Sequence, residues 1–453
     1  MERMQLQEIA EAVGCPGEYE GWVEEISTDS RQITPGCLFA AVPGERFDGH
    51  DYAAKAVEAG ASWVLAQHPC DTGALPQGHL LLVPDVRQAL IDIAGAYRSH
   101  FSIRCVGITG SVGKTTTKEM VAEVVSTKYR TLKTQGNLNN EIGLPKTLFQ
   151  LTSAHEAAVI EMGMQNLGEI AALAAAVKPQ IGVITNIGVS HLEMLGTREN
   201  ILKAKLELAD ALPDGAPLLL CGDNDLLSTV RIPRLRVRLF GIENPACDLW
   251  AGEILERDGA TRFTLCWEGG SVPVLLPALG RHNVYNALAA CAVGRELGIP
   301  PEICAQAIAG YAPAGMRQKV VYHGGYTVVE DCYNASPDSM RAALQTLAGW
   351  PQAGRRIAVL ADMLELGSLE EAAHLEIGAL AAQLGIDLVL AYGPAARRYV
   401  QGVEQEGGSA RHFATKAALL EALQGTLQPG DVVWFKGSHS MALEEVLEGL
   451  YTA

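Results

Sequence analysis

The stretch Gly107-Ile108-Thr109-Gly110-Ser111-Val112-Gly113-Lys114-Thr115-Thr116 decides how the rest of the sequence is interpreted. It closes an apolar run at 103–109, which predicts a strand, and precedes a helical pattern with Met120 and Val124 on one face. A glycine-rich turn between strand and helix that ends in Gly-Lys-Thr is the context of a phosphate-binding loop. The general pattern G-x-x-x-x-G-K-[ST] would put its first glycine at 108, where this chain has Ile108.

The loop nevertheless carries the groups that hold a nucleoside triphosphate. Glycines let backbone N–H groups turn toward an anion, and Lys114 supplies positive charge to the β- and γ-phosphates. The Thr115 hydroxyl is a ligand for Mg²⁺, and the start of the next helix adds positive potential. An ordinary turn is the alternative, but it would not need Gly-Lys-Thr-Thr at this junction. The residues expected to contact the nucleotide are Gly110, Ser111, Val112, Gly113, Lys114, Thr115 and Thr116.

Bulk composition narrows the class of protein. The chain has 453 residues, of which 48% are hydrophobic and 19% charged, and its formal net charge is −17. So acidic a protein is a poor ligand for nucleic acid or an anionic membrane. No apolar run reaches the roughly 18 residues of a membrane span, and the cysteines lie singly along the chain. We expect a cytoplasmic protein that binds no nucleic acid.

Short apolar runs alternate with helical patterns through most of the chain, which predicts an α/β protein. We expect a small α/β N-terminal domain at 1–98 and a central P-loop domain with a mostly parallel sheet at 99–314. A Rossmann-like C-terminal domain at 315–453 follows the Gly/Pro/Ala-rich stretch at 309–318. Ligands of open α/β sheets sit at the carboxyl ends of the strands, so the site is expected there.

Charged residues at the end of a predicted strand and within a later helical stretch are candidates for the site. Glu161 ends the apolar run "AAVIE", where a P-loop protein places its acidic magnesium partner; the alternative is a glutamate that starts a loop. In the helical stretch "ENILKAKLELADAL", Lys203 and Lys205 lie about 200° apart. Lys203 shares a polar face with Glu199 and Glu207, where i,i+4 ion pairs are expected.

Lys205 shares the opposite face, which is otherwise apolar. A lysine that is removed from water has a lowered pKa, and its free amine reacts with carbon dioxide. The alternative for Lys205 is a buried lysine paired with an acid.

Five motifs, taken together, resemble the Mur ligase family, whose members use ATP to add amino acids to a peptidoglycan precursor. They are "GITGSVGKTTTKEM", "KTQGNLNNEIGLP", "EMGMQNLGEI", "TNIGVSHLEMLGT" and "GRHNVYNALAA". The stretch 27–52 resembles the uridine-nucleotide domain of that family. The family's own loop places its lysine as this chain does, which accounts for the displaced glycine.

The motifs "VVEDCYNASPDSMRAAL", "LADMLELG" and "FKGSHSMALEEVL" are similar to the third domain of one member. That member joins D-alanyl-D-alanine to UDP-MurNAc-tripeptide. The resemblance implies an ATP-dependent peptide ligase that makes an acyl phosphate and yields UDP-MurNAc-pentapeptide, ADP and phosphate. It also implies two Mg²⁺ ions and carbon dioxide held as a lysine carbamate. We expect a monomer; whether the tripeptide ends in lysine or diaminopimelate stays open.

The resemblance also assigns roles around the nucleotide. Lys114, His191 and Lys205 are implied as catalytic residues, with Thr115, Glu161, His191 and carbamylated Lys205 as metal ligands. For His191 the alternative is a capping or packing residue. The residues implied at adenine, ribose and phosphate are Asn283, Asn286, Arg317 and Asp331. Asn283 has the alternative of capping its helix.

Contacts to the other substrates are the least specific of these expectations. The uridine diphosphate end is expected at Ser30, Arg31, Arg46 and Phe47, although Arg31 fits a surface ion pair and Phe47 a core position. Asn137, Asn139 and Asn140 are expected at the precursor or phosphate. Asn334 and Ser336 are implied near the dipeptide, and Ser336 before Pro337 also fits a helix N-cap.

Two other functions compete with this interpretation. One is a related ligase such as folylpolyglutamate synthetase, which lacks the uridine-binding segment seen in the first 98 residues or so. The other is a P-loop NTPase that works as a switch or motor. A switch hydrolyses ATP without an acceptor, whereas a ligase releases phosphate only with its precursor and amine.

Overall fold

The computed structural model describes residues 1–44, 47–190, 192–257, 259–313, 315–351 and 354–452. It confirms an α/β protein built on three sheets in which parallel pairing dominates. Each sheet belongs to a consecutive stretch of the chain, in the order that the sequence predicts. None of the helices within these ranges is long and apolar enough to cross a membrane.

The first stretch forms a small parallel sheet with the strand order β3-β4-β5-β6 and an antiparallel pair, β1-β2. Phe39 of β4 and Val64 and Ala66 of β5 belong to a buried apolar cluster that includes Ala53 and Ala56 of α2. The elements are β1 (Met4–Gln5), α1 (Leu6–Ala12), β2 (Trp22–Val23), β3 (Ile26–Ser27), β4 (Leu38–Ala40), α2 (Ala53–Glu58), β5 (Trp63–Ala66), β6 (Leu80–Leu82) and α3 (Val86–Arg98). A 3-10 turn at Gly49–Tyr52 precedes α2.

The central stretch forms the largest sheet, with the order β15-β14-β13-β12-β11-β10-β7-β9-β8 among the described residues. The strands from β8 to β13 are parallel, and β14 and β15 extend the sheet as an antiparallel meander, as the Gly/Asp turn signals predict.

Its elements are β7 (Arg104–Thr109), α4 (Lys114–Ser126), β8 (Thr131–Lys133), α5 (Gly143–Leu148), β9 (Ala157–Glu161), α6 (Glu169–Val177), β10 (Ile181–Ile184), α7 (Leu192–Leu195), α8 (Arg198–Asp210), β11 (Pro217–Cys221), β12 (Arg236–Gly241), β13 (Leu249–Arg257), β14 (Ala260–Trp267), β15 (Gly270–Leu276), α9 (Arg281–Glu296) and α10 (Pro301–Ala309). A 3-10 turn at Leu227–Thr229 follows β11.

The last stretch forms a sheet with the order β16-β17-β21-β18-β19-β20, parallel except for the hairpin of β16 and β17. Separate apolar clusters lie on the two faces of this sheet, as a doubly covered sheet requires. The elements are β16 (Lys319–His323), β17 (Tyr326–Asp331), α11 (Pro337–Ala348), β18 (Arg356–Ala361), α12 (Glu370–Gln383), β19 (Leu388–Tyr392), α13 (Arg397–Gln405), β20 (Ala410–Phe413), α14 (Lys416–Thr426), β21 (Val432–Lys436) and α15 (Glu444–Tyr451). Short 3-10 turns lie at Gly367–Leu369 and His439–Met441.

Helix α3 ends the predicted first domain, yet it shares a core with the central stretch. The Tyr97 hydroxyl donates to Leu151 O at 2.6 Å, and the buried Arg98 guanidinium donates to Val177 O at 3.1 Å. A single apolar cluster runs from α1 through α3 into the central sheet. The first two units therefore pack on one another through α3, and domain limits at 98/99 and 314/315 stay predictions.

Helix α8 lies directly on the central sheet. Its buried residues are Ile201, Ala204, Lys205, Leu208 and Ala209, so Lys205 faces inward while Lys203 is exposed, as the helical pattern predicts. Two strand glycines face leucines at the end of this helix and just after it: a Cβ at Gly107 would lie 2.9 Å from Leu208 Cδ1, and one at Gly182 would lie 2.9 Å from Leu212 Cδ1. These distances are shorter than real Cβ contacts, so a side chain at either position would require the leucine to shift.

Candidate functional site

The loop between β7 and α4 has the shape of an anion-binding turn. Gly110 and Gly113 adopt φ of 149° and 82°, which favour glycine, and α4 begins at Lys114. A Cβ at Gly110 would lie 1.9 Å from Thr185 Oγ1, and one at Gly113 would lie 2.8 Å from Asn286 Oδ1. Both positions therefore need glycine for backbone conformation and for space.

Lys114 is folded along this loop. Its Nζ donates to Gly110 O at 2.8 Å and Ser111 O at 3.2 Å. Burial lowers the pKa of the Lys114 ammonium, and the Arg317 charge adds to that effect, while the Glu161 charge opposes it. The charges of Lys114, Glu161 and Arg317 therefore act on one another, although Arg317 belongs to the third unit and the other two to the central one.

These groups line a cleft of about 1090 Å³ between the central sheet and the third unit. The sequence-predicted residues that line it are Ser111, Val112, Gly113, Lys114, Thr115, Thr116, Asn137, Asn139, Asn140, Glu161, Asn283, Asn286, Arg317, Asp331, Asn334 and Ser336. Ser30, Arg31, Phe47, Gly110 and Lys205 are not among the lining residues. The strand ends of two sheets meet at this cleft, as expected for open α/β sheets.

Glu161 ends β9 beside the phosphate loop, because β9 pairs in parallel with β7. Its side chain is buried; Oε1 accepts from Asn139 Nδ2 at 2.7 Å, and Oε2 has no hydrogen-bond partner among the described residues. A buried carboxylate oxygen without a partner is costly unless a cation completes it. The geometry therefore fits an oxygen ligand for a metal ion.

Lys205 is 1% exposed and lies below the cleft. Burial, and to a smaller degree the Lys114 charge, lower the pKa of the Lys205 ammonium well below its ordinary value. No hydrogen bond or ion pair of Nζ occurs within the described part of the chain, so the alternative of a lysine paired with an acid finds no support there. His191 lies outside the described residues; α7 begins just after it, at Leu192.

The expected ion pairs on the outer face of α8 take a different form. Glu207 turns away from the helix surface and accepts from Gly168 N at 2.7 Å and Ala171 N at 3.0 Å. The Glu207 carboxylate accepts hydrogen bonds from N–H groups at the start of α6 that have no partner within the helix. These bonds stabilise the fold more than a solvent-exposed ion pair with Lys203 would.

Asn283 and Asn286 lie side by side in the first turns of α9. Asn286 Oδ1 accepts from Thr117 Oγ1 at 3.0 Å and its Nδ2 donates to Asn283 Oδ1 at 3.2 Å. Asn283 Nδ2 donates to Leu279 O and to Gln318 Oε1, at 2.8 and 2.7 Å. Asn283 does not cap the helix, because α9 begins at Arg281 with Gly280 before it; that alternative is wrong.

Arg317 and Asp331 enter the cleft from the third unit. The Arg317 guanidinium carbon lies 4.1 Å from the centroid of the Tyr333 ring, a cation–π contact. Asp331 ends β17, and its Oδ2 accepts from Lys436 Nζ at 2.8 Å and from Trp434 Nε1 at 3.3 Å. The ribose-binding acid implied by the resemblance is therefore held in place by a buried lysine.

The three asparagines after β8 differ in what they bind. Asn137 is exposed, Asn139 holds Glu161, and Asn140 Oδ1 accepts from Gly143 N at 2.9 Å at the start of α5. In the third unit, Ser336 is the N-cap of α11, and its Oγ accepts from Ser339 N while Ser339 Oγ accepts from Ser336 N. Asn334 also lines the cleft, and its backbone carbonyl accepts from Lys436 Nζ.

Residues expected at the uridine end lie in the first unit. Arg31 pairs with Asp29 at 2.8 Å and is largely exposed, which is the surface ion pair weighed as its alternative. Phe47 is 71% exposed, so a core role for its ring is wrong. Ser30 lies in the same turn, half-buried, and Arg46 lies outside the described residues.

Sequence reasoning missed three groups that shape the cleft. Arg87 on α3 donates to Pro43 O at 2.8 Å and pairs with Glu141 at 2.5 Å, which connects the loop before Phe47 to the asparagine segment. Lys436 and Tyr333 sit at or just past strand carboxyl ends, the same signal that selected Glu161, and were overlooked.

One histidine cluster has the composition of a metal site but not its free ligands. Asp48, His50 and His68 bring one ligand atom each within 4.8 Å of one another. However, His50 Nδ1 is bonded to Asp48 Oδ1 at 2.6 Å, and His50 Nε2 accepts from Gln67 N at 2.9 Å. Both ring nitrogens are occupied, so this cluster is structural.

Comparison with known proteins defines the class of this chain. Residues 23–98 match the Mur ligase family catalytic domain, 108–294 the Mur ligase middle domain, and 316–439 the Mur ligase glutamate ligase domain. The chain belongs to the Mur ligase family.

Three of the proteins that this chain resembles show how far the similarity extends. A UDP-N-acetylmuramoyl-tripeptide--D-alanyl-D-alanine ligase of Bacillus subtilis (strain 168) is 39% identical over 94% of this chain and 93% of its own. The crystal structure of MurF from Acinetobacter baumannii is 30% identical, with a TM-score of 0.92 and 100% coverage of both chains. The MurF ligase of Thermotoga maritima in complex with ADP is 28% identical, with a TM-score of 0.85 over 94% of this chain and 97% of that one.

Proposed function

We propose that this chain is an ATP-dependent ligase that joins D-alanyl-D-alanine to UDP-MurNAc-tripeptide in peptidoglycan precursor synthesis. One observation carries this: a single cleft brings together the phosphate loop, the buried Glu161 carboxylate with an unpaired oxygen, and the polar strand ends of the third unit. That arrangement suits a nucleotide on one wall and an incoming amine on the other. The similarity to D-alanyl-D-alanine ligases over nearly the whole chain selects the substrates.

The proposed reaction has two steps. A carboxylate oxygen of the tripeptide attacks the γ-phosphorus of ATP, ADP leaves, and an acyl phosphate forms. The amine of the dipeptide then attacks the acyl carbon, the carbon–oxygen bond to phosphate breaks, and the amine nitrogen gives up a proton. Two anions must meet in the first step, so positive charge is needed there, and Lys114, Arg317 and the start of α4 are proposed to supply it.

Magnesium fits the residues of the phosphate-loop side. Thr115 and Glu161 would hold one ion, since a hydroxyl and a carboxylate are oxygen ligands of the kind Mg²⁺ takes, and Glu161 Oε2 lacks any other partner in the described residues. A second ion is proposed at His191 and a carbamylated Lys205. When bound, magnesium neutralises charge on the phosphates and on the acceptor carboxylate.

Lys205 supports the carbamate part of this proposal. Its burial favours the neutral amine, which adds to the carbon of CO₂ and releases one proton, giving a carbamate anion. This changes a buried neutral amine into a buried anion, which a bound metal ion would stabilise. Helix α8 holds the side chain inward whichever form it takes.

The proposed substrate positions rest on the residues that line the cleft and, for the uridine end, on the resemblance of the stretch 27–52 to a uridine-nucleotide domain. Asn283, Asn286 and Asp331 are proposed near the nucleoside, and the asparagine segment 137–140 near the precursor. Ser30, Arg31, Arg46 and Phe47 are proposed for the uridine diphosphate, and Asn334 and Ser336 for the dipeptide. A monomer with domains at 1–98, 99–314 and 315–453 completes the proposal. Closure of the third unit excludes water from the acyl phosphate.

The test is a ligation assay with purified protein, ATP, Mg²⁺, UDP-MurNAc-tripeptide and radiolabelled D-alanyl-D-alanine. We expect label in a product that also contains the uridine, with ADP and phosphate formed in equal amounts. D-Glutamate and diaminopimelate serve as control amines and should give no product. ATP turnover without precursor or amine would instead favour an NTPase and overturn the ligase assignment.

A further inference from the structure

An acidic side chain of the third unit crosses the cleft to the phosphate-loop side. Asp338 is the second residue of α11, after the N-cap Ser336 and Pro337. Its Oδ2 accepts from Val189 N at 3.3 Å, which joins the third unit to the segment after β10. A Cβ at Gly188 would lie 2.0 Å from the same oxygen, so the carboxylate occupies space that a side chain at 188 would fill.

The position of this carboxylate is close to the reacting end of the cleft. Gly188 N donates to Ser111 Oγ at 3.0 Å. Gly188, which lies against the Asp338 carboxylate, is therefore the single residue between Asp338 and the phosphate loop. Asp338, Ser111 and Val189 all line the cleft. Because Ser111 belongs to the loop expected to hold the triphosphate, the Asp338 carboxylate lies near the proposed meeting point of γ-phosphate and acceptor.

Two of the cationic side chains that line the cleft are already paired with other acids. Arg198 donates to both carboxylate oxygens of Asp225, at 2.8 and 2.6 Å, and to Ile187 O. The pKa of Arg198 is raised, first by those bonds to Asp225 and to a smaller degree by the Asp338 charge. Lys436 is bound to Asp331. Within the described ranges, Asp338 forms no ion pair of its own.

A preference for acids at helix starts does not account for this placement. An aspartate in the first turn of α11 is favoured by the helix dipole wherever its side chain points. Here the side chain instead leaves its own helix and turns toward a backbone N–H of another unit. An unpaired carboxylate beside a phosphate site is repelled by the nucleotide unless a cation comes between them.

We propose that Asp338 binds the amino group of the incoming dipeptide and holds it beside the acyl carbon. The inference rests on the proposed function. In that reaction the ammonium of the dipeptide is the one cationic group among the reacting groups of the organic substrates. Asp338 then contributes the negative charge that selects an amine, whereas Lys114 and Arg317 contribute the positive charges that select the two anions. Val189 N fixes the carboxylate, leaving its other oxygen for the substrate.

The experiment compares Asp338→Asn with the unmodified protein. Asparagine keeps an oxygen for Val189 N and suits the start of a helix, but it has no negative charge. We expect the KM for D-alanyl-D-alanine to rise about tenfold or more, as loss of a hydrogen bond to a charged group implies. The KM values for ATP and for UDP-MurNAc-tripeptide should stay within about twofold.

A partial reaction separates this inference from the proposed function. Isotope exchange between the bridging and non-bridging β,γ-oxygens of ATP, with UDP-MurNAc-tripeptide but no dipeptide, reports acyl phosphate formation. The unmodified protein and Asp338→Asn should exchange at similar rates. If the unmodified protein neither exchanges nor ligates, the proposed function fails; if it does both and Asp338→Asn keeps the dipeptide KM, only the role of Asp338 fails.

Two further variants keep the test decisive. Glu371→Gln removes an acid from the first turn of α12, outside the cleft, and should leave all three KM values unchanged. Asp338→Ser serves if thermal melting shows that the asparagine variant is not folded. Equal losses in all three KM values and in exchange would mean that Asp338 only holds the two units together, which contradicts substrate binding.

Discussion

Asn139 holds the Glu161 side chain in place, because its Nδ2 donates to Glu161 Oε1 at 2.7 Å. The backbone carbonyl of Asn139 accepts from Gly163 N at 2.8 Å. The Glu161 amide in turn donates to Thr134 Oγ1 at 3.0 Å. The carboxylate is therefore fixed from both sides of its strand end, with Oε2 as the one side-chain oxygen left without a partner in the described residues. An amide that orients a metal-binding carboxylate affects the ion without touching it.

Replacing Asn139 by alanine should therefore weaken magnesium binding more than nucleotide binding. We expect the Mg²⁺ concentration for half-maximal activity to rise about 10- to 100-fold, as for other residues that orient metal ligands. Titration of activity with Mg²⁺ at saturating ATP measures this. Asn166→Ala removes a comparable bond, to Glu169 at 2.8 Å, and should leave the titration unchanged. An unaltered Mg²⁺ requirement in Asn139→Ala would disprove the orienting role.

Lys205→Ala should lose roughly a hundredfold or more of the ligation rate, because it removes the proposed carbamate. Added bicarbonate should not restore activity, whereas short carboxylic acids that enter the space should restore part of it. Lys203→Ala, two residues away and exposed, is the matched control and should be nearly silent. Near-normal rates in Lys205→Ala would remove this lysine from the mechanism.

Gly110→Ala should raise the KM for ATP roughly tenfold or more, since the added methyl group collides with Thr185 Oγ1 and the loop must shift. Gly215→Ala is the matched control, because Gly215 also has a positive φ, of 75°, but open space around its Cβ position. Both variants carry backbone strain, but only Gly110 lies in the phosphate loop and lacks space for a Cβ, so only Gly110→Ala should affect nucleotide binding. A KM for ATP in Gly110→Ala that is no higher than in Gly215→Ala would contradict a role for the collision with Thr185.

The third unit should lose stability in acid through Asp431. Burial acts to raise the pKa of this carboxyl, but hydrogen bonds from Arg355 and from the amides of Gln428 and Arg355 outweigh it, so the pKa lies below its ordinary value. A depressed pKa stabilises the fold above the unfolded-state value, near 4, and that stability is lost as pH falls through the folded-state pKa.

Asp431→Asn should accordingly lower the free energy of unfolding by about 1–3 kcal/mol at pH 7. The difference from the unmodified protein should begin to shrink below about pH 4, where the carboxyl of the unfolded chain takes up a proton, and should shrink further as the pH falls through the depressed folded-state pKa. Urea unfolding at pH 7 and pH 3, followed by tryptophan fluorescence, measures both values. A difference that is the same at the two pH values would mean that the ionised carboxyl adds nothing.

The strand and helix pattern was predictable because it depends on local signals. Apolar runs followed by glycine or polar residues correctly located β7, β9, β10 and β21, and with them the edge where the cleft lies. The inward direction of Lys205 followed from helical spacing alone. The phosphate loop needed only its own ten residues and the elements on either side.

What could not be predicted depends on partners far apart in sequence. Asp331 is held by Lys436, and Asn283 by Gln318, through bonds that no spacing rule connects. The alternative of Asn283 as a helix cap is wrong because it depends on the exact residue at which α9 begins. The alternative of Phe47 as a core residue is wrong because it depends on which side of its loop faces solvent. Such one-residue boundaries lie below the precision of pattern reasoning.

The two glycines under α8 have a consequence for how this protein can be controlled. Gly107 and Gly182 leave room for Leu208 of α8 and for Leu212 just after it, on the buried side of the helix that also carries Lys205. Neither glycine is among the residues that line the cleft. A methyl group added at either glycine would displace those leucines first, and any effect on turnover that reached the site through α8 would be noncompetitive with every substrate.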